Sequence, residues 1–414
     1  MITFIHTADI HFGMENYGKI DAHTGIHSRL LDFVKALNIC IDTAIEQNVD
    51  FFLFAGDAYK THHPSQTQQK MLLECFLRLY KANIPLVIVI GNHDHPLSFG
   101  KAHTLDLFGA MPLDGFHLFS KPGTITLQTK NGPINIVGVP WPTRNTIAIA
   151  DKHKEKSASE ITEYISRAVA HIITDLAQKL DPTIPAVLAS HITVTTGIFS
   201  GSEKRAIYGN DPMLMPSQLA IKPFDYVALG HLHRYQNLNN SGYPAVVYSG
   251  SIERIDFGER KEEKGFCLVK ISEKNKATHT FIKIPTRPFI QIDVKLTIGT
   301  LQTDQILEAL KNYDLTDAIV KIIYHIPAGK KDLVDLKAIQ QACSKAMDLI
   351  GVIPVHVITP RENRGCALKV TMDLPELLDN YFATKPELIS KKDDLIEKTL
   401  VLWHDHLNQE EESM

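Results

Sequence analysis

Five short islands of aspartate, histidine and asparagine carry the reactive chemistry of this chain. They are Asp9–Ile10–His11, Gly56–Asp57, Gly91–Asn92–His93–Asp94, Ser190–His191 and Gly230–His231–Leu232–His233. Each follows a short apolar run of strand length, so each falls where a strand gives way to a loop. Oxygen and imidazole donors in this mixture suit a pair of divalent ions. Asp9 and His11 are two residues apart, so on an extended segment they point the same way and can share one ion. Asp57 follows a glycine turn and has two oxygens with which to bridge two ions. Asn92 adds a neutral oxygen, and His191, His231 and His233 add imidazoles. Without a thiolate, the set favours manganese, iron or zinc over magnesium or calcium.

Two ions about 3.5–4 Å apart can clamp a phosphoryl group and a hydroxide between them. Such a site then needs an acid for the leaving alkoxide. His93 is the candidate, beside ligand Asn92 without having to be a ligand itself. Asp94 is expected to orient it and raise its pKa. Any one of these histidines alone has an ordinary structural explanation; it is the joint order of the islands that argues for a two-metal hydrolase. His62, His63, His95 and His103 lie near the islands but fill no ligand slot; an ordinary structural role outweighs substrate contact as the reading of each.

These donors need elements to hold them. Apolar strand-like runs cover Thr3–Thr7, Phe51–Ala55, Leu86–Ile90, Ile134–Val139, Ala186–Ala189, Tyr226–Leu229 and Val246–Tyr248. Helical periodicity covers Arg29–Gln47 and Ser65–Ala82, and a third helix starts at the capping pattern Ser157-x-x-Glu160. Strands alternating with helices predict an α/β fold with a largely covered sheet and ligands at the strand ends. The 414 residues exceed one ordinary core, so about two or three domains are expected.

A boundary is expected at Ile284–Pro288. Beyond it, Phe289–Leu296, Ala318–Ile326 and Val352–Ile358 read as strands, and Thr303–Lys311 and Leu333–Met347 as helices. They predict a small α+β cap domain over 285–371, after a first domain over 1–284. The segment 372–414 reads as two helices broken at Pro386. Its apolar stripes (Leu377, Leu378, Tyr381; Leu395, Leu400, Trp403) must be buried somewhere, against the cap or against a partner.

Composition is that of a water-soluble globular protein, with 44% hydrophobic and 22% charged residues. No apolar run approaches the ~20 residues of a membrane span. The N-terminus reads as a strand, not a signal peptide. Five scattered cysteines without a C-x-x-C pair suit a reducing cytoplasm. The net charge of −4 gives no bulk sign of nucleic-acid binding, so any such function needs local cations or the metals themselves.

The islands match the pattern of the calcineurin-like metallophosphoesterases: D-x-H, G-D, G-N-H-D/E, a later H, and G-H-x-H. Within that superfamily the chain resembles the SbcD-type nuclease subunits of double-strand-break repair complexes. The resemblance rests on Thr7-Ala8-Asp9-Ile10-His11-Phe12-Gly13, on Tyr248-Ser249-Gly250-Ser251 through Asp256-Phe257-Gly258-Glu259, and on Glu263-Lys264-Gly265-Phe266. It implies the metallophosphoesterase fold, a β-sandwich flanked by helices, with one ion held by Asp9, His11, Asp57 and His233, and a second held by Asp57, Asn92, His191 and His231. It also implies His93 as the catalytic histidine and manganese-dependent exonuclease and endonuclease action on DNA ends and hairpins. An SbcC-type ATPase would contact the C-terminal helices, and a homodimer would form within a heterotetramer. Lys60 stands where relatives often carry His or Asp, and a cation there can reach a DNA phosphate.

Phosphate contacts need Lys or Arg near the islands. The candidates are Lys60, Lys101, Arg144, Lys204, Arg205, Arg234 and Arg254. Two other readings share the ligand set: a small-molecule phosphodiesterase or phosphatase of the same fold, and a DNA-end-binding scaffold with a vestigial nuclease. The Gly250–Glu259 segment and the extra C-terminal residues argue against the first, the intact ligand set against the second.

Overall fold

The structure is a computed structural model that describes residues 1–95, 102–110, 114–143, 157–201, 211–357, 372–383 and 385–411. The chain begins with β1 (Ile2–Thr7), α1 (Ser28–Glu46), β2 (Phe51–Phe54), α2 (Gln66–Lys81) and β3 (Leu86–Val89). Next come α3 (Asp106–Ala110), β4 (Phe116–Phe119), β5 (Gly123–Thr129), β6 (Gly132–Val139) and α4 (Ala158–Gln178). Then follow β7 (Ala186–His191), β8 (Thr193–Val194), β9 (Met213–Leu214), α5 (Pro216–Leu219), β10 (Tyr226–Gly230), β11 (Gln236–Asn237) and β12 (Ala245–Tyr248). A hairpin of β13 (Gly265–Glu273) and β14 (Lys276–Lys283) precedes β15 (Phe289–Lys295), α6 (Gln302–Leu310), β16 (Ile319–Ile326), α7 (Leu336–Ala342) and β17 (Asp348–His356). The chain ends in α8 (Leu374–Ala383) and α9 (Lys392–Glu411).

Two six-stranded sheets form a sandwich, in the orders β14–β13–β1–β2–β3–β4 and β11–β12–β10–β7–β6–β5. The sequence of β2, Phe-Phe-Leu-Phe, shows why. Alternate side chains leave opposite faces of a strand, so a strand apolar at every position must be covered on both sides. Phe52 and Phe54 pack under α1 and α2 with Phe33, Leu37, Phe76 and Leu79. Phe51 and Leu53 pack between the sheets with Val87, Ile136, Val187 and Tyr226. On the far side, Ile161, Ile165, Val169 and Ile173 of α4 cover Val137, Leu188 and Val227. The layers are therefore helix, sheet, sheet, helix: the α/β fold expected from the alternation, as the flanked sandwich that the resemblance implies. The α4 cap is the expected reciprocal box between Ser157 and Glu160.

One expected element is different. The apolar periodicity of Leu333–Met347 suggests one long helix, but α7 covers only Leu336–Ala342. The Asp335 carboxylate caps its start by accepting from the Lys337 and Ala338 amides. At its end, Met347 N donates to the Ala318 carbonyl, so the last predicted turn is diverted toward β17.

By contacts the chain divides into two units. One comprises Met1–Val294, Leu301–Tyr324 and Val334–Ile353; the other comprises Lys295–Thr300, His325–Leu333 and Pro354–Met414. In the second, α8 and α9 are tied by an ion pair of 2.6 Å between Asp379 and Lys392. Among the described residues, no helix is long and apolar enough to cross a membrane.

The segment expected to be a boundary, Ile284–Pro288, is anchored to α1. Arg287 grips Asp32 with Nε at 2.7 Å and Nη2 at 2.6 Å, a bidentate fork. The fully buried Arg29 reaches the same carboxylate at 2.8 Å. Removing one partner of a buried ionic cluster strands the others. Asp32→Ala should therefore destabilise the first unit by about 3 kcal/mol, read as a lower urea midpoint with unchanged m-value.

Candidate metal centre

All five islands lie at or just beyond the C-terminal ends of parallel strands. β1, β2 and β3 are neighbours in one sheet, β7 and β10 in the other. The two sheets thus bring the islands to one edge of the sandwich. The first two are joined by backbone bonds from Asp9 N to Gly56 O (2.9 Å) and from His11 N to Asp57 O (3.0 Å). Asp9, His11 and Asp57 sit in the left-handed region, at φ 55°, 52° and 60°. Side chains rarely adopt it without surrounding structure to hold them there. Gly56 (φ +96°) has no alternative, because a Cβ there would lie 2.4 Å from His191 Nδ1.

Asp57 is the meeting point. Its Oδ2 lies 3.6 Å from His11 Nε2 and 3.4 Å from His191 Nε2. On the first side, His11 Nε2 and His233 Nε2 face each other at 3.1 Å, and Asp9 groups with both. On the second, His191 Nε2 and His231 Nδ1 converge on Asn92 Oδ1 at 3.0 and 3.1 Å. The structure therefore brings together Asp9, His11, Asp57, Asn92, His191, His231 and His233, and donor atoms also converge in the groups His11–Asp57–His93 and Asp9–Asp57–His191.

The donor chemistry fits cations. His191 Nδ1 lies 2.7 Å from the Ala55 carbonyl, which only accepts, so that nitrogen carries the proton. The Nε2 lone pair then faces Asn92 and Asp57 oxygens, acceptor against acceptor. His11 Nδ1 is a buried polar atom without a hydrogen-bond partner, and His231 Nε2 faces the Asp211 carboxylate at 3.6 Å, which leaves Nδ1 as the atom turned to Asn92. Such a cluster needs positive charge between its members, whether metal or proton. Burial raises Asp9 to about 7, against the pull of His191 and His233. Burial would also raise Asp57, but the His191 and His93 imidazoles outweigh it and hold Asp57 well below the carboxylate range. Conversely, burial would lower His191, but Asp57 outweighs it and raises it to about 9. A metal must displace that proton. Affinity should therefore rise with pH up to about 9 and flatten above, with proton release at neutral pH visible by calorimetry in buffers of different ionisation enthalpy.

His93 stands at the edge of this cluster, its ring edge-on to His11 at 4.9 Å between centroids. The partner expected from sequence, Asp94, does not orient it. Asp94 is buried and accepts from the backbone of both loops: Asp57 N (2.9 Å), Ala58 N (3.0 Å) and Gly91 N (2.9 Å). It staples the Asp57 loop to the Asn92 loop. What holds His93 is the Lys60 carbonyl, 2.8 Å from Nδ1. Adjacency in sequence pointed to Asp94, but three local amides claim its oxygens first.

Glu259, Lys264 and Trp141 are given no site role by the sequence. Glu259 accepts from His233 Nδ1 at 2.8 Å and pairs with Lys264 Nζ at 2.7 Å; that ammonium also donates to the His233 carbonyl at 2.9 Å. Burial alone would raise Glu259, but Lys264 and His233 outweigh it and hold it at about 2. The resemblance marked Glu259 and Lys264 as motif letters; their shared partner, His233, is visible only in three dimensions. Trp141, whose ring lies 4.8 Å from His231 and 6.1 Å from His191, belongs to no island.

The candidate DNA cations divide. Lys101, Arg144, Lys204 and Arg205 lie outside the described residues. Lys60 is half-buried near His11, and its charge helps lower that imidazole after burial, the main cause. Arg234 is exposed. Arg254 is a correction: its guanidinium is engaged by the Thr286 hydroxyl and by the Arg287 and Glu262 carbonyls at 3.1 and 3.0 Å, so it supports the fold instead of facing a phosphate. Of the other histidines, His103 joins His95 at 3.1 Å and Asp106 at 3.3 Å.

Outer carboxylates fix the tautomer and raise the basicity of ligating histidines. Glu259→Gln should weaken binding of the ion at His233 by about 10–100-fold, measured by titration of the metal-free protein with Mn2+.

Among solved structures, the chain is similar to a dimetal phosphatase from Danio rerio, at 11% identity and a TM-score of 0.39, over 68% of this chain and 98% of that one. It is also similar to the protein TT1561 of Thermus thermophilus, at 13% identity and a TM-score of 0.34, over the same shares. These likenesses are too distant to carry residue roles. The model of the calcineurin-like phosphoesterase family matches residues 2–235, a span that holds all five islands. On that match the chain belongs to the calcineurin-like phosphoesterase family.

Proposed function

We propose that the protein is the nuclease subunit of an SbcCD-type DNA repair complex, hydrolysing DNA phosphodiesters as an exonuclease at ends and an endonuclease at hairpins. The observation that carries phosphodiester hydrolysis is Asp57, one carboxylate shared by two imidazole sets. Two divalent ions held there, manganese in this reading, would neutralise phosphoryl charge and activate a water for in-line attack. Asp9, His11, Asp57 and His233 would hold one, and Asp57, Asn92, His191 and His231 the other.

The protein's own groups do the rest. The Lys60 carbonyl keeps the proton on His93 Nδ1, so Nε2 is the nitrogen that gains and loses one. In the imidazolium form, Nε2–H protonates the leaving 3′ or 5′ alkoxide. Asp57 Oδ1 accepts from the His93 amide at 2.8 Å, fixing the acid relative to the bridging carboxylate. Asp94 keeps both loops in register.

DNA as the substrate is supported by the segment after the islands. Gly250–Glu259 ends in the carboxylate that holds His233, which gives that motif a physical role at the centre. An SbcC-type ATPase would dock on the C-terminal helices, where Tyr381, Ile389, Val401, Leu402 and Trp403 are exposed. The assembly in this reading is a cytoplasmic heterotetramer built on a homodimer of this chain.

The test is a nuclease assay on linear and hairpin DNA with Mn2+, Mg2+ or chelator, with and without the ATPase. His93→Ala should lower cleavage by about 10²–10⁴-fold while metal binding is retained. Cleavage that survives both His93→Ala and Asp57→Ala refutes the mechanism. Hydrolysis of cyclic nucleotides without any cleavage of DNA would assign a small-molecule phosphodiesterase instead.

A further inference from the structure

A second feature lies just beyond the metal-bearing loop. Arg234, the residue after His233, lines a cavity of about 240 Å³ together with Tyr235, Lys261, Glu262, Glu263 and Phe281. Its apolar wall is a stacked aromatic pair: the Tyr235 and Phe281 rings lie 4.2 Å apart at 17°. Both rings rest on the core between the sheets and stay partly exposed, so the wall is rigid but reachable.

The charges of this cavity are unequal in their availability. Glu262 is paired with the buried Lys264 at 3.2 Å, and Glu263 is paired with Lys283. Arg234 and Lys261 are exposed and make no ion pair among the described residues. The cavity therefore offers two uncommitted cations beside a flat aromatic face. Aromatic faces with flanking cations are what single-stranded nucleic acids bind, with bases on the rings and phosphates on the cations. The cavity is also tied to the metal centre: Arg234 directly follows His233 in the chain, and buried polar contacts join the two. Glu262 touches Lys264, whose ammonium donates to the His233 carbonyl and pairs with the carboxylate that holds His233 Nδ1.

We propose that this cavity is a subsite for an unpaired nucleotide of a phosphodiester strand, one or two steps from the bond being cut. Its phosphates lie against Arg234 and Lys261, and its base extends the Tyr235–Phe281 stack. The proposal rests on the reading that the substrate is a nucleic acid. It specifies that the strand next to the centre is melted where it lies inside a duplex, since an internal paired base is already stacked on both faces and cannot cover a protein ring.

The experiment is fluorescence anisotropy of a labelled single-stranded oligonucleotide, and of the matching blunt duplex, on the full chain with chelator present to prevent cleavage. The wild-type protein should favour the single strand. In the Arg234→Gln/Lys261→Gln double variant the slope of log affinity against log salt should shrink by about 0.7 per cation removed. Phe281→Leu, which keeps the apolar packing and loses the ring, should weaken single-strand binding about fivefold or more and leave duplex binding unchanged. Titration with Mn2+ checks that each variant keeps its metal centre, and hence its fold. Unchanged slope and affinity in variants with intact centres overturn the subsite, as does a wild-type protein that binds no single strand. Hydrolysis of bis(p-nitrophenyl) phosphate by the wild type with Mn2+ separates the two levels. If it proceeds while the variants bind DNA normally, the subsite is wrong and the two-metal hydrolase stands. If it fails, the hydrolase reading falls whatever the anisotropy shows.

Discussion

Asp57 is a carboxylate that two groups of imidazoles compete for, and the architecture follows from keeping it between them. His11 comes from the end of β1 and His191 from the end of β7, strands in different sheets. Only a sandwich whose parallel strands end at the same edge brings these rings to one pair of oxygens. The fully apolar strands are what close that sandwich. They bury both faces of both sheets, and the strand ends, where apolar character stops, are left to carry the donors. Glycine at 56 and 91 lets the loops approach so closely; a Cβ on Gly91 would meet Asp57 Oδ1 at 2.2 Å.

Burying this many ionisable groups is costly unless each charge has a partner. The centre is ringed by groups that meet that requirement with backbone as much as with side chains. Asp94 takes three amides, His191 leans on the Ala55 carbonyl, His93 on the Lys60 carbonyl, and Asp9 accepts from His231 N at 3.0 Å. Glu259 and Lys264 form a fully buried pair whose members both contact His233. The consequence is preorganisation: donors aimed at fixed points before any cation arrives, which lowers the reorganisation that binding and catalysis would otherwise require.

Much of this was legible in the sequence because each donor island is short and contiguous, and because a fully apolar run of strand length has few places to go. The alternation of strands and helices, the donor islands at the strand ends and the capping box of α4 all came from such local patterns. What stayed hidden depends on which partner wins a competition in three dimensions. Asp94 neighbours His93, yet its oxygens go to amides from two loops. Arg254 is a cation near the motifs, yet carbonyls from 262 and 287 and the Thr286 hydroxyl surround it. Glu259 reaches a histidine 26 residues away. The helix expected over Leu333–Met347 has the right periodicity for its whole length, but the pull of the neighbouring strand ends it at Ala342. Periodicity reports which face is apolar, not which neighbour will cover it.

The central claim is that one carboxylate joins two cation sites. Electron paramagnetic resonance of the protein loaded with Mn2+ tests it directly. Two ions about 3.5–4 Å apart across a shared carboxylate should give the multiline spectrum of an exchange-coupled pair at two Mn2+ per chain. Asp57→Ala should abolish the coupling. A single ion per chain, or two ions with the spectrum of isolated Mn2+, would contradict the account.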